Sequence, residues 1–92
     1  MDIKHIKIQV FGLVQGVFFR DTTRRVAEKL HLSGYVKNMR DGSVLIEAEG
    51  PIEKLNELIE FVKVGPKWAR VDKIDFKFSD ILENYSKFKF SF

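Results

Sequence analysis

Apolar residues in this chain recur at two different periods, and the order in which those periods alternate restricts the fold more than any other feature of the sequence. The opening "IKIQVF" places Ile6, Ile8 and Val10 on one side of a two-residue repeat, which predicts a half-buried strand over 4–11. After Arg20 the spacing changes. In "DTTRRVAEKLHL", Val26, Ala27 and Leu30 fall on one face of a helix, with Asp21 or Thr22 as its N-cap and Ser33-Gly34 as its stop. "YVKNMRDGSVLIEAEG" reads as two short strands around the hairpin dipeptide Asp41-Gly42, with Asn38 near the turn and Val44, Ile46 and Ala48 alternating with Leu45, Glu47 and Glu49. Pro51 opens a second helix whose Ile52, Leu55, Leu58, Ile59 and Val62 share one face, and Gly65-Pro66 closes it. Two further alternating runs follow, Ile74, Phe76 and Phe78 in "RVDKIDFKF" and Phe88, Phe90 and Phe92 in "KFKFSF".

Strand, helix, strand, strand, helix, strand, with one more strand at the end, is the order of a ferredoxin-like βαββαβ sandwich. This α+β class has an antiparallel sheet with two helices packed on one face. At 92 residues the chain is long enough for one core and too short for two, and no Pro-, Ser- or Gly-rich run marks a boundary, so a single domain over 1–92 is expected. No apolar stretch approaches the roughly 20 residues of a membrane-spanning helix, and "MDIKHIKIQV" alternates rather than building a signal peptide. The expectation is a cytoplasmic monomer with no membrane association. The absence of cysteine excludes disulfides, thiol nucleophiles and thiolate metal sites.

Sixteen Lys and Arg against thirteen Asp and Glu leave a formal net charge of +3, a mild bias toward anionic partners. The basic residues are scattered through "KHIK", "RDTTRR" and "DFKFSD", as on a solvated surface rather than a binding stripe. The nine phenylalanines fall mostly at period two, which favours packing in the core or on a sheet face over stacking on bases. His5 and His31 are isolated in sequence, and His31 at a helix end is suited to a dipole contact. Asp41 belongs to a turn, and Glu47 and Glu49 lie on the polar side of a strand, so solvated charges are expected at all three positions.

Between the first strand and the first helix lies "VFGLVQGVFFRD". Gly12 and Gly16 match neither a P-loop nor G-x-G-x-x-G, so no nucleotide fingerprint is present. A glycine-permitted loop before a helix start can nonetheless turn successive backbone N–H groups toward one point, forming an anion nest at the positive helix end. Arg20 would face that point, with a planar fork able to engage two phosphate oxygens at once. Taken alone, the segment fits equally a tight turn followed by a surface arginine, and Asn38 taken alone fits a plain turn residue.

Taken together, "GLVQGVFFR" and "GYVKNMRDGSV" closely resemble the two signature regions of the acylphosphatase family, small enzymes that hydrolyse carboxyl-phosphate anhydrides without a metal. The resemblance spans essentially the whole chain, including length, element order and the eighteen-position spacing from Arg20 to Asn38. By position, Arg20 is similar to the family's substrate-binding arginine and Asn38 to its catalytic asparagine. Gln15, Gly16, Val17, Phe18 and Phe19, together with Arg20, match its phosphate-binding loop. The resemblance implies a small acyl phosphate as substrate, inorganic phosphate or sulfate as competing anions, and no cofactor or metal. The other reading that this fold class allows is an RNA-binding module, but no strand carries the basic, glycine and aromatic pattern of such domains, so no nucleic-acid partner is expected.

Overall fold

The computed structural model describes residues 2–91. The N-terminal repeat forms β1 (Ile3–Leu13), two residues longer at its far end than its alternation predicts. Ile6, Ile8 and Val10 are fully buried. On one side β1 pairs antiparallel with β3 (Val44–Pro51), setting Ile8 opposite Ile46, and on the other with β4 (Arg70–Ser79), setting Ile8 opposite Phe76. β2 (Ser33–Asn38) pairs antiparallel with β3, and β5 (Phe88–Ser91) completes the order β4-β1-β3-β2-β5.

The ferredoxin-like order and the two covering helices are present, but the sheet is mixed rather than wholly antiparallel, because β5 runs parallel to β2. The reason is geometric. β4 ends where Ser79 faces His5, at the same end of the sheet where β2 begins opposite Glu49. Residues 80–87 cross the sheet at that end, so β5 starts beside Gly34 and can only run in the direction of β2. The expected Phe92 position lies outside the described residues.

α1 (Phe19–Lys29) and α2 (Ile52–Val64) cover one face. Phe19 and Ala27 of α1 and Leu55, Leu58, Ile59 and Val62 of α2 close over Ile6, Ile8, Val10, Val36, Val44 and Ile46. α1 begins earlier than its periodicity suggests: its N-cap is Phe18, so Arg20 lies inside the first turn and neither Asp21 nor Thr22 caps it. At its other end His31 takes a left-handed φ of 58°, the Leu32 N–H bonds the Ala27 carbonyl, and the His31 N–H bonds the Glu28 carbonyl. This Schellman arrangement ends the helix before Ser33-Gly34, which belongs to β2. Of the period-two phenylalanines, Phe88 is buried in the core, whereas Phe76 and Phe90 are exposed on the sheet strands; Phe19, in α1, is buried and Phe18, before it, is exposed.

The opposite face of the sheet departs from expectation at the glutamates. Glu49 is buried at 5 % exposure and Glu47 is partly covered, where solvated charges are predicted. Glu49 lies under residues 80–87 and accepts from their backbone, while Glu47 is held by His5 and Tyr35, a covering that no local pattern announces.

Candidate active site

The site lies at the end of the sheet away from the 80–87 crossing, where β1, β2 and β5 all terminate. Gly12 belongs to β1 rather than to the loop: the β1–β4 register shifts between Phe11 and Gly12, and a Cβ at Gly12 would stand 2.2 Å from the Arg70 carbonyl oxygen. Beyond this bulge Gly12 and Leu13 stay paired with Val71 and Arg70 of β4 in the shifted register. Val14 is buried and anchors the next step. The Gln15 side chain donates from Nε2 to the carbonyl oxygens of Met39 (2.7 Å) and Ser43 (2.9 Å), tying the loop to the β2–β3 hairpin. Gly16 at φ 74° and Phe18 at φ 64° then reverse the chain into α1. A non-glycine residue in the left-handed region carries strain, and here it stands at the helix entrance.

The β2–β3 hairpin is fixed in turn by Asp41, whose carboxylate accepts from the Ser43 N–H (2.9 Å) and the Ser43 hydroxyl (2.5 Å). Those two bonds hold the Asp41 carboxyl below the ordinary carboxylate range. The Ser43 hydroxyl also accepts from the Gln9 amide at 3.0 Å, so β1, the loop and the hairpin form one connected frame.

Within this frame a cavity of about 260 Å³ is lined by Val14, Gly16, Phe18, Phe19, Arg20 and Asn38, with Asp21 and Phe90 completing its wall. Arg20 and Asn38, remote in sequence, therefore face one space. No side chain caps the N-terminus of α1, which leaves its first-turn N–H groups and its positive dipole end at the cavity. Arg20 leans on β5: its Nη1 donates to the Ser91 carbonyl at 2.8 Å, and its guanidinium lies 4.4 Å from the centre of the Phe90 ring. Asn38 presents a buried Oδ1 that accepts no hydrogen bond from the described residues. An unpartnered buried acceptor is costly unless a ligand or water completes it.

Of the loop residues singled out from sequence, Gly16, Phe18, Phe19 and Arg20 line the cavity, while the Gln15 side chain is committed to the hairpin and Val17 packs against the core. Besides the apolar Val14, two wall residues went unforeseen. Asp21 brings a carboxylate to an otherwise positive site, but it pairs with Arg24 (2.8 Å) and Arg25 (3.0 Å) on its own helix. A local signal for it existed, since Arg24 and Arg25 follow it at helical ion-pair spacing. Phe90 had no such signal, because it reaches the site only through the parallel pairing of β5. The exposed aromatics Phe18, Trp68, Phe76 and Phe90 are spread over a loop, the α2–β4 connection and the two edge strands, so the described residues form no continuous stacking platform.

The chain resembles known proteins over almost its whole length. The family model described as Acylphosphatase matches residues 6–90. An acylphosphatase of Salinibacter ruber is 45% identical over 94% of this chain and 90% of its own. One from Thermotoga maritima is 50% identical over 78% of this chain and 80% of its own. The crystal structure of the Bacillus subtilis acylphosphatase superposes with a TM-score of 0.94 at 39% identity, covering 97% of this chain and 99% of that one. The chain belongs to the acylphosphatase family.

Proposed function

We propose that this hydrolase cleaves the carboxyl–phosphate bond of small acyl phosphates, releasing a carboxylate and inorganic phosphate. The observation that carries the reading is the convergence of Arg20, the uncapped start of α1 and the unpartnered Oδ1 of Asn38 on one cavity. The phosphoryl oxygens are held by Arg20 and by backbone N–H groups of the 15–20 loop and first helical turn. Asn38 accepts a hydrogen bond from the attacking water and aligns it opposite the leaving group. An amide has no useful basicity near neutral pH, so Asn38 positions the water and takes no proton.

The leaving group explains why no acid or base is needed. A carboxylate departs unprotonated because its conjugate acid has a pKa of about 4. In the loose transition state of phosphoryl transfer the water attacks late, the P–O bond to the acyl group breaks with its electron pair, and both hydrogens of the water finish on the phosphate product. The protein supplies alignment and charge stabilisation on the equatorial oxygens. In this reading the domain is monomeric and needs no metal or partner.

The test is hydrolysis of acetyl or benzoyl phosphate by the isolated protein in excess EDTA, with a phosphate monoester as the control. Rapid turnover of the acyl phosphates and near silence on the monoester are expected, since an alkoxide leaves only with acid or metal help. No acyl phosphate turnover under these conditions would falsify the reading. Inorganic phosphate should compete with substrate and raise the melting temperature, by an amount equivalent to about 2.7 kcal/mol at a hundred times its Kd.

A further inference from the structure

On the sheet face opposite the helices, away from the cavity, His5 of β1 lies between two glutamates of β3. Its Nδ1 is 2.7 Å from Glu49 Oε2 and its Nε2 is 2.8 Å from Glu47 Oε1. His5 and Glu49 are 7 % and 5 % exposed. The second oxygen of Glu47 accepts from the Tyr35 hydroxyl of β2. Glu49 also accepts backbone N–H bonds from Glu83 (2.5 Å) and Asn84 (2.9 Å), the middle of the 80–87 crossing. Tyr85 of the same crossing lies with its ring 6.1 Å from the His5 ring and 6.0 Å, edge-on, from Tyr35.

The hydrogen bonds fix the charge of the imidazole. Both ring nitrogens face carboxylate oxygens at bonding distance, and only an imidazolium can donate through both. A neutral ring would set one lone pair against a carboxylate. From this geometry we infer that His5 is a protonation latch: as an imidazolium it holds Glu49 in place to clasp residues 80–87 on the sheet, and on losing its proton it loosens that clasp.

The remaining charged or titratable groups around it are accounted for. From β4, the residue opposite His5 is the uncharged Ser79. Lys7, two residues along β1, is exposed and faces Glu47 of β3 and Lys77 of β4. Lys4 and Asp80 pair with each other at the start of the crossing. Glu83 adds negative charge near Tyr35 and Tyr85, and both tyrosines are pushed up chiefly by burial, Tyr85 to about 12, so neither titrates in the working range of the latch. Burial alone would pull His5 down, but its bonds to Glu49 and Glu47 outweigh that and raise it above its ordinary value. A raised histidine contributes stability that is complete below its unfolded pKa of about 6.5 and is lost as pH rises through the folded value. The latch is therefore shut below about pH 6.5 and opens as pH rises through the raised folded value.

The clasped crossing leads directly into β5, whose Ser91 carbonyl and Phe90 ring support Arg20. An open latch loosens that support, a consequence that rests on the proposed role of Arg20, whereas the latch itself does not. Its test therefore avoids activity. In the otherwise intact protein carrying His31→Asn, which tolerates the left-handed site, the His5 ring and the Glu83 and Asn84 amides are followed by NMR from pH 5 to 9. The expected result is an imidazole midpoint above about 6.5, with both amides shifting and their hydrogen exchange quickening, beyond its intrinsic rise with pH, at that same midpoint. Glu49→Gln should lower the midpoint of His5. A ring that titrates at or below its ordinary value, or amides indifferent to it, overturns the latch. If Glu49→Gln does not fold, the titration of the Glu49 protein alone decides.

Discussion

On the helix side of β1, Ile6, Ile8 and Val10 are hidden beneath α1 and α2; on the other side His5 is nearly as hidden, between two carboxylates and beside the Tyr85 ring. The apolar face gains by removing surface from water, tolerates some change of shape, and draws on many small contacts. The polar face gains little in net energy from burial, and each group there depends on its partner being present and in the right charge state. The first arrangement holds the fold together. The second fixes one irregular segment, residues 80–87, in a single place, and through β5 it reaches the cavity. Variants that separate binding, packing, alignment and charge probe this division, taken here from the largest expected effect downward.

Arg20→Ala should reduce kcat/KM for acyl phosphates on the order of a thousandfold or more, the range seen when an arginine that stabilises phosphoryl-transfer charge is lost. It should also abolish the stabilisation by phosphate. Arg20→Lys should rescue little, because a point charge cannot replace the two-pronged fork, and both KM and kcat should suffer. If steady-state kinetics show Arg20→Ala near the parent, the cavity is not where chemistry occurs.

Leu58→Ala, on the fully buried face of α2, should cost about 2–5 kcal/mol in denaturant unfolding while leaving kcat close to the parent at temperatures where the protein is folded. A fall in kcat without a fall in stability would mean that the apolar face does more than support the frame. Asn38→Ala should lower kcat about a hundredfold, roughly 2.7 kcal/mol of transition-state stabilisation, with phosphate affinity nearly unchanged. Asn38 is the last residue of β2, so unfolding curves must accompany the kinetics. A folded Asn38→Ala protein with normal kcat would leave that side chain a turn former.

What could be read beforehand follows the same division. Ile6, Ile8 and Val10 at period two, and Leu55, Leu58, Ile59 and Val62 at helical spacing, announce burial through local repetition, so the elements and their covered faces were legible. Arg20 and Asn38 were legible through the resemblance of their flanking segments to the acylphosphatase signatures, and the structure brings them to one cavity. The start of α1 was misplaced because it rests on Phe18 in a left-handed conformation, an entry that no capping side chain signals. The direction of β5, the placement of Phe90 and the burial of Glu49 were illegible for a shared reason. All three depend on where residues 80–87 cross the sheet, and that crossing is held by contacts between residues more than thirty positions apart, such as the Glu83 and Asn84 N–H groups on Glu49.

The smallest predicted effect is the most specific to the polar face. Glu49→Gln keeps a carbonyl acceptor for one backbone N–H but turns its NH2 toward the other donors and removes the negative charge, a combined loss of about 2 kcal/mol. Burial tends to raise the Glu49 carboxyl, but the backbone bonds from Glu83 and Asn84 and the bond from His5 outweigh it and hold the carboxyl below its ordinary value. A lowered carboxylate contributes stability above its unfolded pKa of about 4.3 that is lost as pH falls through the folded value. His5, raised, contributes below about 6.5 and loses its contribution as pH rises. The two dependences have opposite sign, so the stability difference between parent and Glu49→Gln should form a plateau between about pH 4.3 and 6.5 and decline on both sides. Urea unfolding at half-unit pH steps measures it. A difference that stays level through pH 9 would mean that Glu49 acts on residues 80–87 through its backbone bonds alone, with His5 contributing no charge.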